Sequence, residues 1–252
     1  MLDLTRVLAG PVATRFLAGF GAEVLRIDPP WWDEPVVVLE AALGKRCARL
    51  DLRQSANRAL FERLLQEADV LVHGYRPDAL ARLGFDADHR RIICPGLVDV
   101  TLDAYGWAGP WKGRRGFDSL VQMSSGIADA GMKQLGKNRP TPLPVQALDH
   151  SVGYLLAAAA IRGLTNRFET DAGFEARASL ARMAALLIER PFVGNEPIAP
   201  EGPNDLSEHV EETAWGPARR IKPPVIVDGA PLRWDLPARQ LGSSQAEWLD
   251  ST

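Results

Sequence analysis

Among the acidic side chains of this 252-residue chain, Asp149 has the least ordinary neighbourhood. It stands between a proline-rich approach, Pro142-Leu143-Pro144-Val145, and a run of small and apolar residues that starts at Val152 and continues through Gly153, Leu155, Leu156 and Ala157 to Ile161. Proline lacks an N–H and pushes the residue before it out of the α region, so this pattern predicts a helix that begins near Asp149 and is buried nearly all round. Two roles are open to an aspartate at that point. As an N-cap its oxygen satisfies an orphan N–H, which is worth about 1 kcal/mol. As a nucleophile it is held ionised by the positive helix end, with N–H groups nearby to steady a developing oxyanion. One position can serve both, and an unperturbed aspartate, with a pKa of about 3.9, needs no base at neutral pH.

A second group with chemical potential is basic. Lys45, Arg46, Arg76, Arg82, Lys112, Arg114 and Arg115 occur in short stretches with glycines and the aromatics Tyr75, Tyr105, Trp107 and Trp111. Guanidinium and ammonium groups gathered on one rim suit phosphate recognition.

The elements around these residues alternate. LDLTRVLAG reads as strand and turn, Pro11 to Phe20 as a short helix ended by Gly21, and AEVLRID as a second strand. Lys45 to Leu52 is extended. Ser55 opens a helix over 56–68 whose apolar stripe is Leu60, Leu64 and Leu65. DVLVHGY and LVDVTLDAYG are buried strands, separated by the Pro-led RPDALARLG. GRRGFDSLVQMSSGIADAG, which precedes the approach to Asp149, reads as one more helix. The expectation is an α/β fold, a Rossmann-like, mainly parallel sheet with helices on both faces and ligand beyond the carboxyl ends of the strands. AGPVATR after the first strand contains no G-x-G-x-x-G, so a dinucleotide fingerprint is absent.

Composition limits the rest. Apolar content of 46% and charged content of 24% are those of a globular protein, and a net charge of −3 argues against general nucleic-acid binding. Two cysteines, Cys47 and Cys94, have no metal-ligand spacing and form no disulfide framework, as expected of core residues in a reduced, cytoplasmic protein. No signal-peptide pattern opens the chain, and Arg162 interrupts the apolar run too early for it to span a bilayer.

Several ordered stretches, LDLTRVLAGPVATRFLAGFGAEVLRID, GKRCARLDL, ADVLVHGYRPDALARLGF, VDVTLDAYGWAGPW, RRGFDSLVQMSSGIADAG and LDHSVGYLLAAAAIRGL, resemble the class III CoA-transferases, the CaiB/BaiF group that includes formyl-CoA transferase and carnitine CoA-transferase. WGPARRIKPPVIVDGAPLRWDLPARQLG resembles that family's closing segment. The resemblance implies a large domain that binds coenzyme A, with Asp149 as nucleophile and Asp118 and His150 in support. The thioester is then a substrate and no further cofactor or metal is expected. By position it also implies coenzyme A contacts at Leu8, Ala9, Gly74, Tyr75, Arg76, Ala79, Arg82 and Arg115. The implied reaction moves coenzyme A from an acyl-CoA to a carboxylic acid through an aspartyl-acyl anhydride and an aspartyl-CoA thioester.

The sequence also departs from that family. Leu8 stands where such transferases carry a glutamine, and Pro29-Pro30 where an arginine often follows the second strand. The interval PFVGNEPIAPEGPNDLSEHVEE replaces a smaller second domain. The expected organisation is therefore a large domain over 1–190, a linker over 191–212 and a closing segment over 213–252 that packs back on the large domain. A homodimer or a partner subunit is expected, with neither nucleic acid nor membrane as partner. Two alternatives stay open, a non-catalytic subunit that binds CoA thioesters, and an acyl-CoA racemase. The racemase would need a histidine base where Phe117 stands.

Overall fold

Six short strands pair side by side, and every pairing between them is parallel. In this computed structural model, which describes residues 1–76, 78–190 and 199–249, they are β1 (Leu2–Leu4), β2 (Leu25–Asp28), β3 (Arg46–Arg49), β4 (Val70–His73), β5 (Val98–Asp103) and β6 (Phe174–Ser179). Their order across the sheet is β3-β2-β1-β4-β5-β6. The chain thus runs outward from β1 to β3, then returns to the other side of β1 and runs outward again. Between β1 and β4 lies the topological switch point, where doubly wound sheets open a crevice at their carboxyl edge.

Helices cover both faces, and the two-residue period of the strands divides the core accordingly. Val70 and Val72 pack into one layer with Val98, Val152, Leu156 and Ala160, whereas Leu71 packs into the other with Leu2, Leu4, Phe61 and Phe85. The first layer is made by α1 (Ala9–Gly19), α8 (Ala147–Thr170) and α9 (Leu180–Glu189), and the second is covered by α3 (Ser55–Gln66) and α5 (Ala87–Ile93). Shorter helices α2 (Val38–Ala41), α4 (Ala79–Arg82), α6 (Asp118–Ser124) and α7 (Ile127–Gln134) lie between.

The packing of α8 on α1 places the candidate nucleophile. Gly153 lets the two helices meet closely, since a Cβ there would stand 2.7 Å from the Ala9 carbonyl oxygen and 2.7 Å from Val12 Cγ1. Leu148, Val152 and Leu156 are sealed in the same layer, each worth roughly 1.5–3 kcal/mol of apolar burial.

Several expectations need correction. The long helix starts at Ala147, so Asp149 is its third residue and not its cap. Nor is that helix buried all round, because Leu155 and Ile161 are about half exposed, at 47% and 48%. The single helix expected before it is two, α6 and α7, broken where Gly126 takes a left-handed φ of 92°. Part of the expected linker is structured. A 3-10 turn at Pro203–Asp205 leads into β7 (Leu206–Thr213), which forms an antiparallel hairpin with β8 (Gly216–Ile221). The remainder of that stretch, 191–198, lies outside the described residues.

The closing segment lies along the large domain. Trp234 Nε1 donates to the Arg15 carbonyl at 2.8 Å, Ser244 N to that of Cys47 at 2.9 Å, and Trp248 Nε1 to that of Leu64 at 3.1 Å. No helix among the described residues is long and apolar enough to cross a membrane.

Candidate active site

A cavity of about 370 Å³ opens at the switch point. Arg6 to Ala9 enter it from the turn after β1, Gly74 to Arg76 from the end of β4, and Asp103 and Ala104 from the end of β5. Gly113 to Phe117 form the wall before α6, and Asp149 comes from the first turn of α8. Side chains distant in sequence meet here because parallel strands deliver all their carboxyl ends to one edge.

Asp149 is 8% exposed, and among the described residues no donor reaches its carboxylate. Its backbone N–H donates to Asp118 Oδ2 at 2.9 Å. Asp118 therefore satisfies an N–H in the first turn of α8 from another helix, the task the sequence left open to Asp149 itself. Asp118 is 2% exposed and also accepts a bond from Gln122 Nε2. Gln122 in turn accepts from Leu143 N at 2.8 Å and donates to the Val145 carbonyl at 3.3 Å, which fixes the proline-rich approach.

This arrangement reverses the expected electrostatics. Burial first, and the neighbouring Asp118 charge second, push the Asp149 carboxyl from 3.8 up to about 7. As the third helical residue and not the cap, Asp149 is not placed to accept from the free N–H groups of the first turn, and its own N–H is taken by Asp118. The group is thus poised near neutrality and not fully ionised, the condition in which a buried carboxyl in a cleft most often marks a functional site.

Beside the cavity runs a groove of about 540 Å³ lined by Arg76, Asp78, Arg82, Trp107, Lys112, Gly113 and Arg115. Arg76, Gly113 and Arg115 line both spaces, so the two adjoin. Arg82 forms an ion pair with Asp78, which offsets part of the positive charge there. Arg114 lies over Trp111, 4.3 Å from the ring centroid, and also lines the cavity.

Two of the seven cations expected on this rim are elsewhere. Lys45 is fully buried, with Nζ 2.9 Å from Asp3 Oδ2. Arg46 is 9% exposed and donates to the Glu247 carbonyl in the closing segment at 2.6 Å. Both precede or open β3, an amino end of the sheet, which is why the rim does not include them. Ala79 is half-buried and lines neither space. His150 lines neither as well; burial first, and Arg15 second, hold its ring below the usual imidazole value. Tyr105 and Trp111 pack edge to face at 5.0 Å.

Residues not singled out by sequence reasoning complete the wall. Arg6 lies between two rings, 4.4 Å from Trp32 and 4.8 Å from Tyr75, and donates to the Tyr75 hydroxyl at 3.1 Å. Its place directly after β1 was the available signal. Gln122 carried none, because its role depends on a loop twenty-one residues further along the chain.

A family model described as CoA-transferase family III matches residues 1–218. The chain belongs to that family. It is 31% identical over 185 residues to the acetyl-coenzyme A transferase nodX of Hypoxylon pulicicidum, covering 71% of this chain and 31% of that protein. It is 30% identical over 142 residues to the succinyl-CoA–L-malate CoA-transferase alpha subunit of Chloroflexus aurantiacus, covering 51% and 33%. Among solved structures, the hypothetical protein Rv3272 of Mycobacterium tuberculosis superposes with a TM-score of 0.69 at 28% identity, over 75% of this chain and 54% of that one. The chain thus spans about a third of these curated relatives.

Proposed function

We propose that this chain transfers coenzyme A between an acyl-CoA thioester and a carboxylic acid, with Asp149 as the nucleophile. The observation that carries this reading is a buried carboxylate, without a donor among the described residues, inside a cavity that adjoins a cationic groove. The phosphates of coenzyme A would lie against Arg76, Arg82, Lys112 and Arg115, whose guanidinium and ammonium groups suit them. Gly74 and Tyr75 would flank the pantetheine arm as it enters past Leu8 and Ala9. That path brings the thioester carbonyl to Asp149.

A carboxylate oxygen of Asp149 would attack that carbonyl. The C–S bond breaks, coenzyme A leaves as thiolate and an aspartyl-acyl anhydride remains. The thiolate then attacks the aspartyl carbonyl and releases the donor acid, giving an aspartyl-CoA thioester. An acceptor carboxylate next attacks that thioester, breaking its C–S bond to release the thiolate and leave a second aspartyl-acyl anhydride; the thiolate attacks the acceptor's carbonyl in it, giving the new acyl-CoA and Asp149 as free carboxylate. Two covalent stages replace one difficult exchange. Attack requires the ionised carboxyl, so the rate of the first step rises as pH passes about 7.

Asp118 holds the first turn of α8 and adds the like charge that keeps Asp149 poised. His150 takes no part in proton transfer in this scheme. Phe117, 61% exposed, offers no base where a racemase would need one. A partner subunit or a second copy of the chain would join it, a reading supported by the alpha-subunit name of one relative.

Incubation with an acyl-CoA followed by hydroxylamine, read by peptide mass spectrometry, tests the proposal. A hydroxamate on Asp149 is the expected product. Coenzyme A binding without any label at Asp149 would favour the non-catalytic thioester-binding subunit instead.

A further inference from the structure

The turn that leads from β1 into the cavity is held in an unfavourable backbone shape. Val7 has φ = 66°, in the left-handed region that β-branched residues rarely enter. Such a conformation persists only where the surroundings over-determine it. A carboxylate is part of those surroundings, since Glu34 Oε1 accepts the Val7 N–H at 2.6 Å. Glu34 comes from the loop between β2 and α2 and is 6% exposed. Its other oxygen accepts from Arg26 Nη2 at 2.8 Å, and Arg26 Nε donates to Asp28 at 2.7 Å. The Arg26 side chain is fully buried. Arg6 Nε approaches Asp28 at 3.9 Å. Glu34 is therefore anchored from beneath by an ionic cluster before it meets the turn.

Resting on the function proposed above, we infer that Glu34 is a positioning residue for the coenzyme A cavity, holding the Val7 turn in the strained shape that sets Arg6 against Trp32 and Tyr75 and presents Leu8 and Ala9 to the ligand. No contact between Glu34 and ligand is needed. Binding gains because the wall is set before the ligand arrives, so its ordering cost is not charged to association.

The length of the side chain makes this testable. Glu34→Asp keeps the charge beside Arg26 but is one methylene too short to hold both partners. It is expected to weaken coenzyme A binding about tenfold by calorimetry on the full chain, the wall being no longer pre-set. Adding Val7→Gly should recover most of that loss, because glycine enters φ near +66° without steric cost. A variant that had merely loosened the fold would not be rescued in this way. Glu34→Gln keeps an oxygen for the Val7 amide but turns its NH2 toward Arg26 and loses that anchor, so it is expected to bind more weakly than wild type yet better than Glu34→Asp.

Wild-type chain that takes up no coenzyme A would overturn the reading of the site and this inference with it. Where wild type binds, full affinity in Glu34→Asp overturns this inference alone. So does a Glu34→Asp loss that Val7→Gly leaves unrepaired, or a Glu34→Gln loss as deep as that of Glu34→Asp.

Discussion

Asp3 and Asp149 are two carboxylates taken out of water, one 0% and the other 8% exposed, and their surroundings treat them in opposite ways. Around Asp3 stand the Thr5 N–H at 2.8 Å, the Thr5 and Thr14 hydroxyls at 2.5 and 2.6 Å, and Lys45 Nζ at 2.9 Å. Burial alone would raise its pKa, but Lys45, Arg26 and those hydroxyls outweigh it and hold the carboxyl below the usual range. Asp149 meets similar burial with no donor on its carboxylate and a second acid for a neighbour, and it rises to about 7. The number of partners, more than depth, decides which buried acid is a structural pin and which retains capacity for chemistry.

The comparison is broken most readily from the Asp3 side. Lys45→Ala strands a buried anion and is expected to destabilise the chain by about 3–5 kcal/mol in chemical denaturation. A loss under about 1 kcal/mol, the worth of an exposed pair, would mean that the pair is not holding β1 to β3.

Asp149→Asn should do the reverse. The folded-state pKa of Asp149 lies above the unfolded value of about 3.9, so folding favours its protonated form. Its contribution is fully present below about pH 4 and is lost as pH rises through about 7. Asparagine does not titrate, so the variant should gain on wild type across that window, reaching roughly 2–4 kcal/mol at pH 8. Asp3 has the opposite sign, its contribution being present above the unfolded value and lost on acidification. Equal melting temperatures for Asp149→Asn and wild type at pH 5 and pH 8 would contradict the assigned pKa.

A smaller effect sharpens the local contrast. Asp118→Asn keeps an oxygen for the Asp149 N–H but removes the like charge. The pH midpoint for acyl-enzyme formation should move down from about 7 while the helix start survives. An unmoved midpoint would assign the whole elevation to burial. The least change belongs to Arg82, which is exposed and paired with Asp78. Arg82→Gln should weaken coenzyme A binding by about twofold, and Arg115→Gln by more, with both losses fading at high salt.

Much of this was legible before folding was considered. The alternation of DVLVHGY and LVDVTLDAYG with helical stretches specified a parallel sheet, and the glycines and cations after those strands marked its carboxyl edge as the site. Less legible were β6, which alternates charged and apolar residues at the edge of the sheet, and the β7–β8 hairpin, most of whose first strand falls in the expected linker because its side chains are largely polar. Lys45 was misplaced because a lysine in a short polar stretch gives no local sign that an aspartate forty-two residues earlier will enclose it.

From the order of its residues alone, then, this chain determines the doubly wound sheet, the two-faced core and the candidacy of Asp149, because periodicity and turn chemistry act over a few neighbours. Only the tertiary structure decided that Asp118 takes over the capping task, that Asp149 meets no donor among the described residues and rises to about 7, and that Glu34, from the loop after the neighbouring strand, accepts the Val7 N–H. Those properties are sums over groups brought together through space, and separation along the chain carries no information about them.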